Sequence, residues 1–253
     1  MSVTFETKVW EKDWKLLLKT SRLEETINLC NFNFYTKCLY INNVKNLSLV
    51  EKAANIMIEN NIIDKTIIVD DVSKNVLDFF NLSKKSLGKG YYYSIAELVS
   101  IYFTETKYLL HFSSDTTITA DVPKNWLTTG INVLENNHNV KVFNLTWNND
   151  YSAAKKESEY EDTECYYGYG FSDQMYLIRT ADFRQPIYNY YHKASDRYPN
   201  HGGESFEKKV DSWMRKNSFF RATYKHGSYS HKNFSKNKFL INISSYLNKP
   251  NFF

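Results

Sequence analysis

Two groups of side chains in this 253-residue chain have the types and spacing to do chemistry. The first is Ser113, Ser114 and Asp115, which follow directly on the apolar run Tyr108, Leu109, Leu110 and Phe112. A buried strand that stops at small hydroxyls and a carboxylate delivers polar groups to the C-terminal edge of a sheet, where open α/β folds bind ligands. The same residues also suit a turn cap after a core strand. The second group is Glu204 and Glu207, behind Gly202-Gly203 and at the start of an apolar stripe formed by Phe206, Val210, Trp213 and Met214. Acids in a helix's first turn are favoured by the helix dipole, and carboxylates are also groups that can exchange a proton.

The elements that must position these groups alternate. Ser2–Thr7 reads as a strand and Trp10–Lys19 as a helix. Cys38–Ile41 reads as a strand, followed by a helix to Asn60 capped by Ser48 with Glu51 in the capping-box place. Thr66–Val69 is a third strand, with a short helix over Val76–Phe80. After Gly88-Lys89-Gly90 comes a helix over Tyr92–Phe103 and then the strand that ends at Ser113. Strand–helix alternation predicts a mostly parallel sheet wound by right-handed crossovers. Beyond it, Pro123–Glu135 reads as a helix, Val140–Leu145 and Gln174–Ile178 as strands, and Ala181–His192 as helical despite Pro186. The charge-dense Tyr151–Cys165 segment reads as a mobile loop or lid, and Ser218–Phe253 as a weakly patterned tail.

Composition narrows the function classes. Hydrophobic residues at 42% and charged residues at 24% describe a globular chain and exclude a disordered one. The net charge of +4 is scattered, so nucleic-acid binding is not indicated, while weak peripheral contact with anionic lipid stays compatible. No segment has the roughly 18–20 apolar residues of a spanning helix. The first residues, MSVTFETKVWEKDWK, lack the apolar core of a signal peptide, so a cytoplasmic location is expected, with the inner face of a membrane as the place of any weak contact. Cys30, Cys38 and Cys165 have no CxxC spacing and are expected to be free thiols. Aromatic residues make up 17% of the chain, which suits sugar-stacking surfaces and equally an AT-rich coding bias.

The order of these elements, with Gly88-Lys89-Gly90, a helix, and a strand closing on Ser113-Ser114-Asp115, resembles the nucleotide-sugar half of a GT-A-fold glycosyltransferase, the inverting family 2 type in particular. The resemblance implies a GT-A-like, Rossmann-like α/β domain. Residues 1–122 would form its donor half, and residues 123–253 its acceptor half and tail. It implies that Asp115 matches the last carboxylate of an Asp-x-Asp that holds a divalent cation, Mn or Mg. Ser113 stands where the first carboxylate belongs, which leaves a poorer hard-cation site. It further implies donor contacts from Thr7, Asn42, Asn43, Lys89, Ser113, Ser114 and Asp115. His231, with His226 as its rival, resembles a late histidine that completes metal or diphosphate binding. Glu204, then Glu207, falls where such enzymes keep their base. Aromatics at Tyr166–Phe171 and Tyr188–Tyr191 would line an acceptor groove or fill the core. The implied activity is transfer of a sugar, with inversion, from a nucleotide-sugar donor to a glycan or lipid-linked acceptor. A non-catalytic module of the same shape and a nucleotidyltransferase are the alternative readings.

Overall fold

The strongest apolar patterns become the strands and helices that build a layered α/β architecture, seen here in a computed structural model that describes residues 1–199 and 202–231. In chain order the elements are β1 (Val3–Val9), α1 (Trp14–Leu18), α2 (Arg22–Leu29), β2 (Thr36–Ile41), α3 (Leu47–Glu59), β3 (Lys65–Ile68), α4 (Val69–Phe79) and α5 (Lys84–Leu87). A 3₁₀ turn over Gly88–Gly90 leads into α6 (Tyr91–Phe103), β4 (Tyr108–Phe112), β5 (Thr116–Ile118), α7 (Trp126–Asn136), β6 (Val140–Trp147) and α8 (Tyr151–Lys156). Then follow β7 (Ser158–Glu161), β8 (Cys165–Gly168), β9 (Met175–Arg179), α9 (Thr180–Phe183), a 3₁₀ turn over Lys193–Arg197, α10 (Phe206–Lys216) and β10 (Phe220–His231).

One ten-stranded sheet runs through the molecule in the order β3-β2-β1-β4-β9-β6-β10-β8-β7, with β5 pairing β10 off this path. The predicted parallel winding holds for β3, β2, β1 and β4. The sheet as a whole is mixed, because β9 runs antiparallel between β4 and β6 while β10 is parallel to β6 and antiparallel to β8. Helices cover both faces. Val50, Ala53, Ala54 and Met57 of α3 pack on one side, and Phe206, Val210, Trp213 and Met214 of α10 on the other. Both sets follow the spacing of an amphipathic helix. Strand β4 is buried along its whole length, as its unbroken apolar run requires.

Four expectations are corrected. The charged Tyr151–Cys165 segment is not a loop or lid: Asp150 caps α8 by accepting the Ala153 N–H at 2.9 Å, and β7 forms the charged edge of the sheet. The helix expected over Ala181–His192 stops at Phe183, since Pro186 cannot continue it. Helix α3 is capped by Asn46, whose side chain accepts the Leu49 N–H, rather than by Ser48. The segment from Phe220 to His231 is a twelve-residue strand inside the sheet, and the rest of the predicted tail lies outside the described residues. Cys30, Cys38 and Cys165 are buried, and among the described residues no helix is long and apolar enough to cross a membrane.

The Gly88-Lys89-Gly90 turn has a packing role that its sequence does not announce. A Cβ on Gly90 would lie 2.6 Å from the Gly202 carbonyl oxygen and 2.9 Å from the Ser205 nitrogen, and one on Gly203 would lie 2.8 Å from the Gly90 nitrogen. Gly203 also has φ of +57°, a conformation that suits glycine. Two backbones therefore touch where a side chain cannot fit. Nearby, the Ser94 hydroxyl donates to the Gly90 carbonyl at 2.7 Å and accepts the Phe206 N–H at 2.8 Å, which docks the start of α10 on the start of α6. Gly90→Ala is expected to destabilise the protein by about 1–3 kcal/mol through overpacking against backbone. Gly202→Ala, which meets nothing within 4 Å, should stay within roughly 0.5 kcal/mol of the parent. Thermal denaturation of the two variants side by side checks both.

Candidate functional site

The C-terminal ends of β1, β2, β4, β6 and β10 open on one edge of the sheet, and the antiparallel β9 brings its N-terminal end to that same edge. Gln174, just before β9, joins the end of β4 directly, its carbonyl accepting the Ser113 N–H at 2.8 Å. The sequence reading did not foresee this meeting, since it depends on strand direction across the sheet.

Asp115 and His231 come together there, with His231 Nε2 3.2 Å from Asp115 Oδ2. The Ser113 hydroxyl donates to Asp115 Oδ1 at 2.8 Å and contacts the Thr116 hydroxyl at 2.7 Å. Burial pushes the Asp115 carboxyl upward, but the hydrogen bonds from His231 and Ser113 outweigh it and hold the group below the usual carboxylate range. His231 is correspondingly raised, chiefly by the hydrogen bond to Asp115, and the carboxylate of Asp173 adds to the effect. His226 lies apart, with its Nε2 3.0 Å from the Thr163 carbonyl.

Glu207 and Glu204 part company. Glu204 is exposed and held by Lys208 at 2.8 Å, before the N-cap Ser205. Glu207, inside the first turn of α10, accepts the Asp173 N–H at 2.9 Å. Burial, then the neighbouring Asp173 carboxylate, push the Glu207 carboxyl well above the usual glutamate range. Asp173 thus stands between the Asp115–His231 pair and Glu207. An apolar-lined pattern gave no signal for it, although its place just before a buried strand mirrors that of Asp115 after one.

A cleft of about 290 Å³ opens beside these groups, lined in part by Ser172, Gln174, Asn144, Arg221, Thr223 and Tyr229, with Trp147 half-exposed at the rim. The Tyr229 hydroxyl donates to Gln174 Oε1 at 3.3 Å. Much of the aromatic wealth lies elsewhere: Tyr167, Phe171 and Tyr188 are core residues, while Tyr190 and Tyr191 are exposed.

The remaining expected donor contacts are placed as follows. Thr7 is buried mid-strand, paired between Leu39 and Phe112, because β1 continues to Val9. Asn42 follows β2 and donates from Nδ2 to the Tyr92 carbonyl at 3.0 Å, while its Oδ1 is buried with no partner among the described residues. Asn43 is exposed in the left-handed region, and Lys89 is exposed against Gly203. Ser114 faces inward, where its hydroxyl is bonded to Asp13 and its carbonyl accepts from Arg22 Nε at 3.0 Å.

Asp13 went unnoticed in the sequence and proves central to this loop. Its Oδ1 accepts the Trp10 N–H at 2.7 Å while Oδ2 takes the Ser114 hydroxyl, so it latches the β1–α1 loop to the end of β4. Burial pushes it up to about 7, with nearby Asp115 adding to the rise and the Ser114 and Trp10 bonds opposing it. Lys8, paired with the buried Glu97 of α6, lies close enough to attract Asp13 and Glu207.

As to a cation, the donor set is one carboxylate and one imidazole beside the Ser113 hydroxyl, and among the described residues no three His, Cys, Asp or Glu side chains cluster as a metal site. Two ligands fit a divalent ion that a ligand's phosphate oxygens help to hold, and the imidazole suits Mn better than Mg.

No family model and no curated protein sequence matches the chain. Solved structures do. Glucosyl-3-phosphoglycerate synthase from Mycobacterium tuberculosis, in complex with Mn²⁺, UDP and glucosyl-3-phosphoglycerate, superposes with a TM-score of 0.50 over 98% of this chain and 78% of that one, at 9% identity. The same enzyme with Mn²⁺, UDP and phosphoglyceric acid gives 0.51 at 10% identity, over 99% of this chain and 78% of that one. GalNAc-T7 with UDP, GalNAc and Mn²⁺ gives 0.56 at 10% identity, over 93% of this chain and 44% of that one. The chain has a GT-A-type fold. At such identities the likeness establishes architecture and leaves the chemistry to the side chains.

The Asp13 latch has a stability signature. With its carboxyl raised from 3.8 to about 7 in the fold, the folded state binds a proton that the unfolded state has released between those values. Stability therefore falls as pH rises through that window, by at most about 4 kcal/mol. Asp13→Asn should flatten this slope, which melting curves between pH 4 and pH 8 will check.

Proposed function

We propose that this protein is a glycosyltransferase that moves a sugar from a nucleoside-diphosphate donor to a hydroxyl of a glycan or lipid-linked acceptor, with inversion. The observation that carries the reading is one polar edge that holds both Asp115–His231 and Asp173–Glu207, next to a cleft lined by the sequence neighbours Ser172 and Gln174. Likeness of fold to UDP-bound transferases supports it.

In this reading the nucleotide lies across the ends of β1, β2 and β4. The partnerless buried Oδ1 of Asn42 accepts an N–H from the base. Asp115 and His231 would hold a divalent cation, which when bound would supply neutralising charge for the diphosphate leaving group. Residues 1–122 then serve the donor, with His231 of β10 completing its cation site, and the other later strands serve the acceptor. Glu207, rather than the outward Glu204, is the general base. It takes the proton of the acceptor hydroxyl as that oxygen bonds to the anomeric carbon, and the bond to the diphosphate breaks with its electron pair leaving on the nucleotide. Asp173 serves by adding to the burial that raises the Glu207 proton affinity, which makes the carboxylate a stronger base. The protein works in the cytoplasm, and the exposed Lys84, Lys85 and Lys89 with Tyr92 and Tyr93 offer weak contact with an anionic membrane surface.

Glu207→Gln is expected to lower transfer by on the order of 10² to 10⁴ while donor binding persists, whereas Glu204→Gln should transfer near the parent rate. Parent activity should fall as pH drops through the elevated Glu207 pKa, because the base must be deprotonated. Measured transfer from a panel of nucleotide sugars checks both; donor binding without transfer by the parent would instead support the binding-module reading.

Metal dependence gives a second test. His231 must be deprotonated to bind a cation, and its pKa is raised by Asp115. The added melting-temperature gain from UDP with Mn²⁺ over UDP alone should therefore be larger at pH 8 than at pH 6, and Asp115→Asn should remove it. Equal gains with and without Mn²⁺ at both values would rule out the cation.

A further inference from the structure

Glu6 and His111 are register partners on β1 and β4 and are essentially fully buried, with Cys38 and Tyr176 as their register partners on the outer sides and Lys8 two residues along β1. Burying a carboxylate and an imidazole in the middle of a sheet is costly, and strand pairing does not call for it. His111 Nδ1 lies 2.6 Å from Glu6 Oε1, and Nε2 lies 2.7 Å from the Asp173 carbonyl oxygen. A carbonyl only accepts, so Nε2 carries a hydrogen and the proton on the other side is shared within the Glu6–His111 pair. The ring is fixed further by stacking on Tyr176, with centroids 4.6 Å apart and planes 18° from parallel. Asp173 is thus gripped at both ends of its own backbone: its carbonyl by His111, its N–H by the Glu207 carboxylate at 2.9 Å.

We propose that Glu6 and His111 are positioning residues that hold the Asp173 backbone and, through it, the carboxylate of Glu207 in place for reaction. The inference rests on the reading of Glu207 as the base. The groups that face Glu207 are Asp173 from the loop before β9, Lys8 from β1, Tyr198 ahead of α10 and Tyr229 from β10. Of these, the Asp173 N–H is the one that the Glu6–His111 pair controls. A hydrogen bond from that N–H favours the ionised carboxylate. Once the carbonyl is released, the N–H bond loosens and Glu207 holds its proton to higher pH.

The test uses the full chain with three variants. In His111→Asn the amide occupies the Nδ1 region and cannot reach the Asp173 carbonyl. In His111→Gln the amide nitrogen reaches the Nε2 region and can still donate to it. Glu6→Gln keeps the side-chain shape but removes the shared proton arrangement, and it serves if the histidine variants fail to fold. The first readout is direct: infrared titration of the Glu207 carboxyl band, assigned by its loss in Glu207→Gln. His111→Asn should move that titration up by about one pH unit, which is tenfold in proton affinity. His111→Gln should restore most of it, and Glu6→Gln should shift it in the same direction as His111→Asn. The second readout is the acidic limb of kcat/KM for transfer, which should move in parallel, with a drop of about tenfold below the limb and recovery above it. A pair that merely joins β1 to β4 would lower the melting temperature and leave both titrations where they are in the parent, which would overturn the proposal. If the parent transfers no sugar, the functional reading fails, and the infrared titration still decides the positioning role.

Discussion

The direction of a single strand governs this molecule. Strand β9 runs against both of its neighbours, β4 and β6, and so delivers its first residues to the edge where the others deliver their last. Had it run parallel, Asp173 and Gln174 would sit at the opposite end of the sheet, far from Asp115. Antiparallel pairing lets Ser113 bond to Gln174, lets His111 reach the Asp173 carbonyl, and sets Asp173 against Glu207. The site is in this sense a product of sheet topology, which brings the loops that carry Asp115 and Asp173 to one edge.

Several of the polar groups that the fold buries at a cost gather under the same edge, while Arg179 and Asp211 are buried elsewhere. Asp13, the Glu6–His111 pair and the Lys8–Glu97 pair lie beneath it, while the opposing faces of the sheet are packed with aliphatic and aromatic side chains. Replacing such pairs with apolar residues of similar volume is often neutral or stabilising. Their retention under one surface is the pattern expected where stability is given up for function.

Local chemistry explains what was legible in the sequence. The run from Tyr108 to Phe112 breaking into hydroxyls and an acid marked both a buried strand and the Asp115 end of the site, and the β–α alternation of the first half marked a parallel sheet. The stripe of Phe206, Val210, Trp213 and Met214 located α10, though not which of its acids faces inward. That choice is made by Ser205, which caps the helix and leaves Glu204 outside it. Polar composition misled at Tyr151–Cys165 and at Phe220–His231, because an edge strand is allowed its charges and a strand near a cleft is allowed hydroxyls and imidazoles. Gly88-Lys89-Gly90 stood out through the resemblance, but its spacing did not show that Gly90 makes a backbone-to-backbone contact with the Gly202–Ser205 segment. Asp13, His111 and Asp173 carry little local signature, since the partners that set their roles in the site, Ser114, Glu6 and Glu207, are distant in sequence.

Strand β10 carries a consequence for how the chain assembles. It lies inside the sheet, between β6 and β8, and its far end supplies His231. The unit β1 to β4 is made of near-neighbour crossovers and can condense while later residues are still being synthesised, whereas β10 must thread in beside a strand made long before it. Until that happens β6 has an open edge and Asp115 has no imidazole. The Asp115–His231 pair is therefore completed only once β10 has joined β6, a non-local pairing that the β1 to β4 unit does not need.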